Sequence, residues 1–284
     1  MNLKQLKQIF QQKLNSIYPN REIQSIFKLL VEHRLQWNFT QQVLSEGDEL
    51  TATDAETILN DLNELELQRP IQQIIGEAWF MDMPFRVDTN VLIPRPETEE
   101  LIQLILKENQ QPNLIIADVC SGSGCIAIAL AANLASPKIK AYELSELAIK
   151  IAEHNHHTLV PKADITWLQQ DVLQNQFILG DEDIIVSNPP YIPQNEAALM
   201  HDNVLRFEPH LALFTPNDDP LLFYREIMQQ ALQFGKHQAQ LFVECHEQYA
   251  KGTAEMFSNG GLKEVTIIKD MQQKARIIYA VKLC

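Results

Sequence analysis

Beyond Pro94 the chain alternates short aliphatic runs with stretches of helical spacing, and that alternation restricts it to an α/β layer with a mainly parallel sheet. Seven runs read as strands: 114–119, 139–143, 165–168, 183–187, 240–244, 265–268 and 277–281. Helical patterns fill most of the gaps. The clearest spans 145–154, with Ser145 as the N-cap and Leu147, Ala148, Ile151 and Ala152 on one face.

Upstream the period is helical throughout. Leu3, Leu6 and Phe10, then Ile23, Ile26, Phe27 and Leu30, then Ile58, Leu62 and Leu65 mark the apolar stripes of a small helical bundle. Tyr18-Pro19-Asn20 and Glu46-Gly47-Asp48 break the helices, and Arg69-Pro70 closes the last, since the residue before proline disfavours helical geometry. Between them and the α/β region, Ile74-Ile75, Trp79-Phe80 and Phe85-Arg86-Val87 are punctuated by Gly76, Pro84 and Asp88, which reads as a fairly stiff strand pair. The expected organisation is a helical domain over 1–68, a β-hairpin linker over 69–92 and an α/β domain over 93–284.

The 284 residues, 45% apolar and 21% charged, suit a folded globular protein rather than a disordered chain. With 37 acidic against 23 basic side chains the formal charge is -14, a field that repels a phosphate backbone, so direct nucleic-acid binding is disfavoured. The four cysteines, Cys120, Cys125, Cys245 and Cys284, form no C-x-x-C pair and follow no signal peptide; a reduced cytoplasmic setting, with neither a metal nor a disulfide framework, is expected. No run reaches the roughly 18 apolar residues of a membrane span. A monomer is expected.

Asp118-Val119-Cys120-Ser121-Gly122-Ser123-Gly124 follows the first strand and enters a helical pattern, placing a glycine turn at the carboxyl edge of the sheet, where open α/β folds bind ligands. Gly122 and Gly124 permit a tight turn and close approach to a ligand. Gly122-x-Gly124-x-x-Ala127 also satisfies a dinucleotide fingerprint, so a nicotinamide enzyme remains open. Asp118, ending the first strand, and Glu143, ending the second, would flank one crevice. Glu143 suits ribose hydroxyls for either cofactor, whereas Asp118 suits the ammonium and sulfonium end of S-adenosylmethionine better than a pyrophosphate.

Asn188-Pro189-Pro190-Tyr191 ends the fourth strand. Consecutive prolines fix two φ angles and leave their carbonyls free to accept hydrogen bonds. An amide or aromatic amino nitrogen is a poor nucleophile because its lone pair is delocalised. If the Asn188 oxygen and the Pro189 carbonyl each accept one N–H, that lone pair is steered toward an electrophilic methyl carbon about 3 Å away, and Tyr191 can cover the amide. This points to methyl transfer onto nitrogen, either a side-chain amide or adenine N6.

With these segments the chain resembles the PrmC/HemK family of peptide chain release factor glutamine methyltransferases. Arg69-Pro70-Ile71-Gln72-Gln73-Ile74-Ile75-Gly76 is similar to its interdomain segment, and Leu92-Ile93-Pro94-Arg95-Pro96-Glu97-Thr98-Glu99 to its signature ahead of the sheet. Phe207-Glu208-Pro209, Ala212-Leu213 and the residues 270–276 follow family patterns as well. The resemblance implies a Rossmann-like class I methyltransferase with a seven-stranded sheet and a helical substrate-recognition domain. It implies S-adenosylmethionine as cofactor, S-adenosylhomocysteine as its product, and as substrate the glutamine of the Gly-Gly-Gln motif of release factors in translation termination. Cofactor contacts would be Cys120, Ser121, Gly122, Ser123, Gly124, Glu143, Asp171, Val172 and Asn188. The substrate amide would lie against Asn188, Pro189, Pro190 and Tyr191. Four positions depart from the pattern: Cys120 and Pro220 replace glycines, Glu143 the commoner Asp, and Val172 an aromatic residue that would stack on adenine. The cluster His154, His156 and His157 is read as surface histidines, Cys125 and Cys245 as inert thiols, and Glu244 with His246 as a weak acid-base candidate.

Overall fold

The computed structural model describes residues 1–174 and 177–283, so Cys284 lies outside the described residues. It divides into two compact units, Met1–Gly76 with His201–Phe207, and Glu77–Met200 with the chain from Glu208 onward.

The first unit is helical, with α1 Leu3–Leu14, α2 Asn20–Leu35, α3 Phe39–Leu44, α4 Ala52–Glu66 and α5 Ile71–Ile75. Asn2 opens α1 with a reciprocal capping box: its side chain accepts from Gln5 N at 3.0 Å while Gln5 Oε1 accepts from Asn2 N at 3.0 Å. The apolar stripes meet as their spacing requires. Leu6, Phe10, Leu30, Ile58 and Leu62 are fully enclosed, and the rings of Phe10 and Phe27 stand edge to face at 5.0 Å. Arg34 crosses this core, giving Asp61 two bonds of 2.8 and 3.0 Å and the Ile74 carbonyl a third of 2.9 Å. Gln73 donates to the Phe207 carbonyl at 2.8 Å and Arg206 to the Leu67 carbonyl at 3.2 Å, so residues 201–207 belong to this unit.

Residues 71–75 are helical, where the sequence reading placed the start of a strand pair. Pro70 presets the helix entry, and Gly76 at φ 78° supplies the left-handed stop. Ile71, Ile74 and Ile75 then face the bundle core at helical spacing.

The second unit opens with a hairpin, β1 Glu77–Phe80 and β2 Met83–Arg86, followed by α6 Pro96–Glu108, β3 Ile115–Val119, α7 Cys125–Asn133, β4 Lys138–Glu143, α8 Glu146–Leu159, β5 Asp164–Gln169 and β6 Ile184–Ser187. After the short β7 Ile192–Pro193 and a 3-10 turn, the chain passes through α9 Asp202–Phe207 of the first unit. It continues with α10 His210–Leu213, β8 Phe214–Thr215, α11 Leu222–Phe234, β9 Gln240–Glu244, α12 Ala250–Gly260, β10 Lys263–Lys269 and β11 Ala275–Val281. The seven-stranded sheet has the order β10-β11-β9-β6-β3-β4-β5 and is parallel except at β11, which runs antiparallel to both neighbours. All seven expected strands are present.

Strand alternation divides the core. Ile116, Ile184, Val186 and Phe242 pack on one face with Leu101, Ile102 and Ile105 of α6 and Ile126 and Leu130 of α7. Ala117, Ile185, Leu241 and Val243 pack on the other with Tyr224 and Ile227 of α11 and Phe257 of α12. In α8 the inward face is Ala148, Ile149, Ile151, Ala152, Asn155 and His156, while Leu147 is exposed, one position off the expected stripe.

The hairpin is part of this unit rather than a separate linker over 69–92. Phe80 and Phe85 enter the core edge to face, 5.8 Å apart. Asn155 of α8 pairs with both main-chain groups of Arg86, at 2.8 and 3.1 Å, and its amide also reaches the Ser123 carbonyl at 3.0 Å. Asn155 is 1% exposed, so Asn155→Ala would leave the buried Ser123 carbonyl and both part-buried main-chain groups of Arg86 without this partner. It is expected to lower the unfolding free energy by about 2–4 kcal/mol in urea titrations; a loss below about 0.5 kcal/mol would show that the hairpin is held by apolar packing alone.

Candidate active site

The parallel register lines up four strand ends. Val119 pairs with Tyr142 and with Ser187, and Ser187 pairs with Val243, so Cys120, Glu143, Asn188 and Glu244 are the next residues of adjacent strands. A cavity of about 350 Å³ opens at this edge. Among the expected site residues Cys120, Ser121, Gly122, Ser123, Glu143, Asp171, Val172, Asn188 and Pro190 line it; Asp118, Gly124, Pro189 and Tyr191 do not.

The turn after β3 is left-handed at Cys120, Gly122 and Gly124, with φ of 63°, 54° and 79°. Of the two glycines Gly122 is the one open to the cavity: a Cβ there would meet nothing within 4 Å. Gly124 answers to packing instead, since its Cβ would fall 2.6 Å from the Trp167 ring and 3.1 Å from Ala152. Cys120 holds a conformation that an L side chain adopts at a cost of about 1–2 kcal/mol.

Glu143 braces this turn. Its two oxygens accept from Gly122 N and Ser145 N, each at 2.9 Å, which fixes the carboxylate at the cavity wall with lone pairs to spare. Asp171 accepts from Leu173 N at 2.9 Å. Beside it the buried Val172 and the exposed Leu144 and Leu173 make an aliphatic slot, so apolar contact there does not depend on an aromatic ring.

Asp118 lies behind the turn, on the α6 and α7 face of the sheet. One oxygen accepts from Ala127 N at 3.1 Å, while the other is buried without a hydrogen-bond partner among the described residues. Burial pushes its pKa up from 3.8 to about 7 against the pull of the Ala127 N–H, and Glu143 pushes it in the same direction. The Ser121 hydroxyl is similarly buried and unpartnered. A ligand with polar groups at this turn would partner Ser121, and positive charge there would favour the ionised Asp118 through space.

On the other side, Asn188 Nδ2 donates to Thr98 Oγ1 at 3.2 Å, Thr98 donates to Glu244 at 2.6 Å, and the Tyr191 hydroxyl donates to the other Glu244 oxygen at 3.2 Å. Tyr191 is thus turned toward Glu244 and His246 rather than across the cavity, and burial together with the Glu244 charge pushes its hydroxyl pKa up. Ser187 ties β6 to β3 through a 2.6 Å bond to the Val119 carbonyl. Glu208 grips the opposite wall, accepting from Ile93 N at 3.0 Å and pairing with Arg95. Thr98 and Glu208 stand in the family-like segments, but neither they nor Asn155 shows its contact in the sequence. Their partners lie 32 to 146 positions away, a separation no local pattern encodes.

The histidine cluster divides. His156 is buried, with its ring held between Trp167 Nε1 at 3.3 Å and the Ala163 carbonyl at 3.2 Å, and so is not a surface residue. Among the described residues no group of three or more His, Cys, Asp or Glu side chains could hold a metal ion.

Because the folded chain favours protonated Asp118, its ionisation withdraws stability as pH rises from about 4 to about 7. Asp118→Asn keeps the shape without the charge. Its stability relative to the parent is expected to increase across that window by at most about 4 kcal/mol in urea titrations; a pH-independent difference would contradict the burial of a charged group there.

Residues 5–76 match the model of the PrmC N-terminal domain, and residues 97–207 that of the methyltransferase small domain. The release factor glutamine methyltransferase of Flavobacterium psychrophilum is 40% identical over 98% of both chains. Its namesake from Bacteroides thetaiotaomicron is 38% identical over 95% of this chain and 96% of its own, and that of Streptococcus pneumoniae 34% identical over 98% of both. A methyltransferase structure from Pyrococcus furiosus superposes with a TM-score of 0.52 at 13% identity, covering 82% of this chain and all of that one, and so shares the fold. With both units matched and relatives aligned end to end, the chain belongs to the release factor glutamine methyltransferase family.

Proposed function

We propose that this protein transfers a methyl group from S-adenosylmethionine to the side-chain amide nitrogen of the glutamine in the Gly-Gly-Gln motif of peptide chain release factors. The observation that carries the reading is the placement of Asn188 on the cavity wall with its Nδ2 engaged by Thr98. Its oxygen is left as the acceptor for an incoming N–H.

The residues present fit the cofactor. Gly122 leaves open space, Ser121 and Asp118 carry unpartnered buried oxygens, and Glu143 is a fixed carboxylate for two ribose hydroxyls. Cys120 and Ser123 complete the turn, and Asp171 and Val172, with Leu144 and Leu173, would enclose adenine. Asp118 acts from behind the turn through its field, and Gly124 by admitting Trp167. When bound, S-adenosylmethionine supplies an electrophilic methyl carbon on a positively charged sulfur.

The protein's own contribution is positioning. Asn188 Oδ1 and the Pro189 carbonyl would each accept one N–H of the glutamine carboxamide, holding the nitrogen lone pair toward the methyl carbon. Pro189 and Pro190 are buried and rigid, so the acceptors need no reorganisation when the amide arrives. Tyr191 anchors the loop through Glu244.

A protein substrate suits a chain of charge -14 better than a phosphate backbone does. The helical unit is the proposed receiving surface for the release factor. Among the described residues no helix is long and apolar enough to cross a membrane. A monomeric enzyme of the cytoplasm is part of the same proposal.

Mass spectrometry of a release factor incubated with enzyme and S-adenosylmethionine should find one methyl group on the Gly-Gly-Gln glutamine. Asn188→Ala should lower kcat by about 100-fold or more. Methylation of adenine in nucleic acid, with none on the release factor, would overturn the assignment.

A further inference from the structure

Glu244, at the end of β9, is 1% exposed. Among the described residues neither of its oxygens faces a cation at hydrogen-bonding distance. Instead Oε2 takes the Thr98 hydroxyl at 2.6 Å and Oε1 the Tyr191 hydroxyl at 3.2 Å. An ionised carboxylate only accepts, and a hydroxyl has one proton to give. Thr98 therefore commits its proton to Glu244 and turns lone pairs, not a donor, toward Asn188.

That one-way wiring decides an ambiguity in Asn188. A carboxamide turned by half a rotation occupies nearly the same space, with its NH2 where its oxygen was. Against a Thr98 whose proton was free, both orientations would be hydrogen-bonded. Against a Thr98 that can only accept, Nδ2 must point at Thr98, and the bond is there at 3.2 Å. The oxygen is then left for the cavity.

We propose that Thr98 and Glu244 are positioning residues that set which end of the Asn188 side chain meets the substrate amide. The inference rests on the reading of Asn188 as acceptor for the glutamine N–H. A flipped Asn188 would oppose one NH2 to another, and the glutamine would lose the acceptor that orients its lone pair. Thr98 sits in the first turn of α6 on the sheet face that also carries Glu244, so the relay is built from the packing of that helix against β9.

The relay also has a protonation limit. Burial pushes the Glu244 pKa up, against the pull of the Thr98 hydroxyl, Arg276 and Tyr191, while Glu97 pushes it the same way as burial. Tyr224, Cys245 and Cys125 also feel the Glu244 charge. A protonated Glu244 can donate to Thr98, which frees the Thr98 proton for Asn188 Oδ1 and turns the amide over. Activity is thus present with Glu244 ionised and lost as pH falls through its pKa.

The test is steady-state methylation of a release factor by the full chain, with thermal unfolding of each variant. Thr98→Val, which keeps shape and removes the hydroxyl, should lower kcat about 10- to 100-fold, and Thr98→Ser should restore it to within about threefold. Glu244→Gln cannot ionise and should lack the acid limb of the parent kcat profile. If Thr98→Val keeps kcat within about threefold of the parent, or Glu244→Gln keeps the parent's acid limb, the relay is wrong while the methyltransferase reading stands. If Thr98→Ser is as impaired as Thr98→Val, the hydroxyl is not the operative group and the proposal fails. Absence of turnover by the parent protein overturns both.

Discussion

The arrangement depends on parallel pairing of β4, β3, β6 and β9 in a common register. In a parallel ladder adjacent strands end at the same edge, and here they do so within a residue of one another. Glu143, Cys120, Asn188 and Glu244 follow from four separate parts of the chain into one row. A slip of one residue in β6 would send Asn188 to the opposite face and dissolve the row.

The row is held by groups that face away from the cavity as much as by those that face it. Glu143 fixes the glycine turn through Gly122 N and the entry to α8 through Ser145 N. Asn155 ties that turn to the hairpin, and Ser187 locks β6 against β3. Hydrogen bonds of this kind are individually modest, but those of Asn155 to Ser123 and of Ser187 to Val119 have buried partners that would be stranded by their loss. The ligand-facing atoms are thereby positioned before any ligand arrives, which is the condition for catalysis by orientation.

Much of this was legible in the sequence, for definite reasons. The central strands β6, β3 and β9 are apolar runs buried on both faces, and a glycine turn behind β3 is a local signal. Residues Ile71, Ile74 and Ile75 carried a helical period that the adjacent hairpin signal obscured. Leu147 was placed inward because apolarity stood in for the true phase of α8, which Asn155 and His156 set. The roles of Gly124 and Asp118 needed knowledge of what lies behind the turn. Trp167 fills the space at the one, and burial against Ala127 holds the other from the cavity. The relay from Glu244 to Asn188 joins residues 146 and 90 positions apart, so only the folded chain brings it together.

The central claim is that the Asn188 loop grips a planar carboxamide beside the glycine turn. A crystal structure of the protein with S-adenosylhomocysteine and a peptide carrying Gly-Gly-Gln tests it most directly. The glutamine nitrogen is expected within hydrogen-bonding distance of Asn188 Oδ1 and the Pro189 carbonyl, with the sulfur on its open side. A glutamine side chain bound elsewhere, with Asn188 Oδ1 facing solvent, would contradict it.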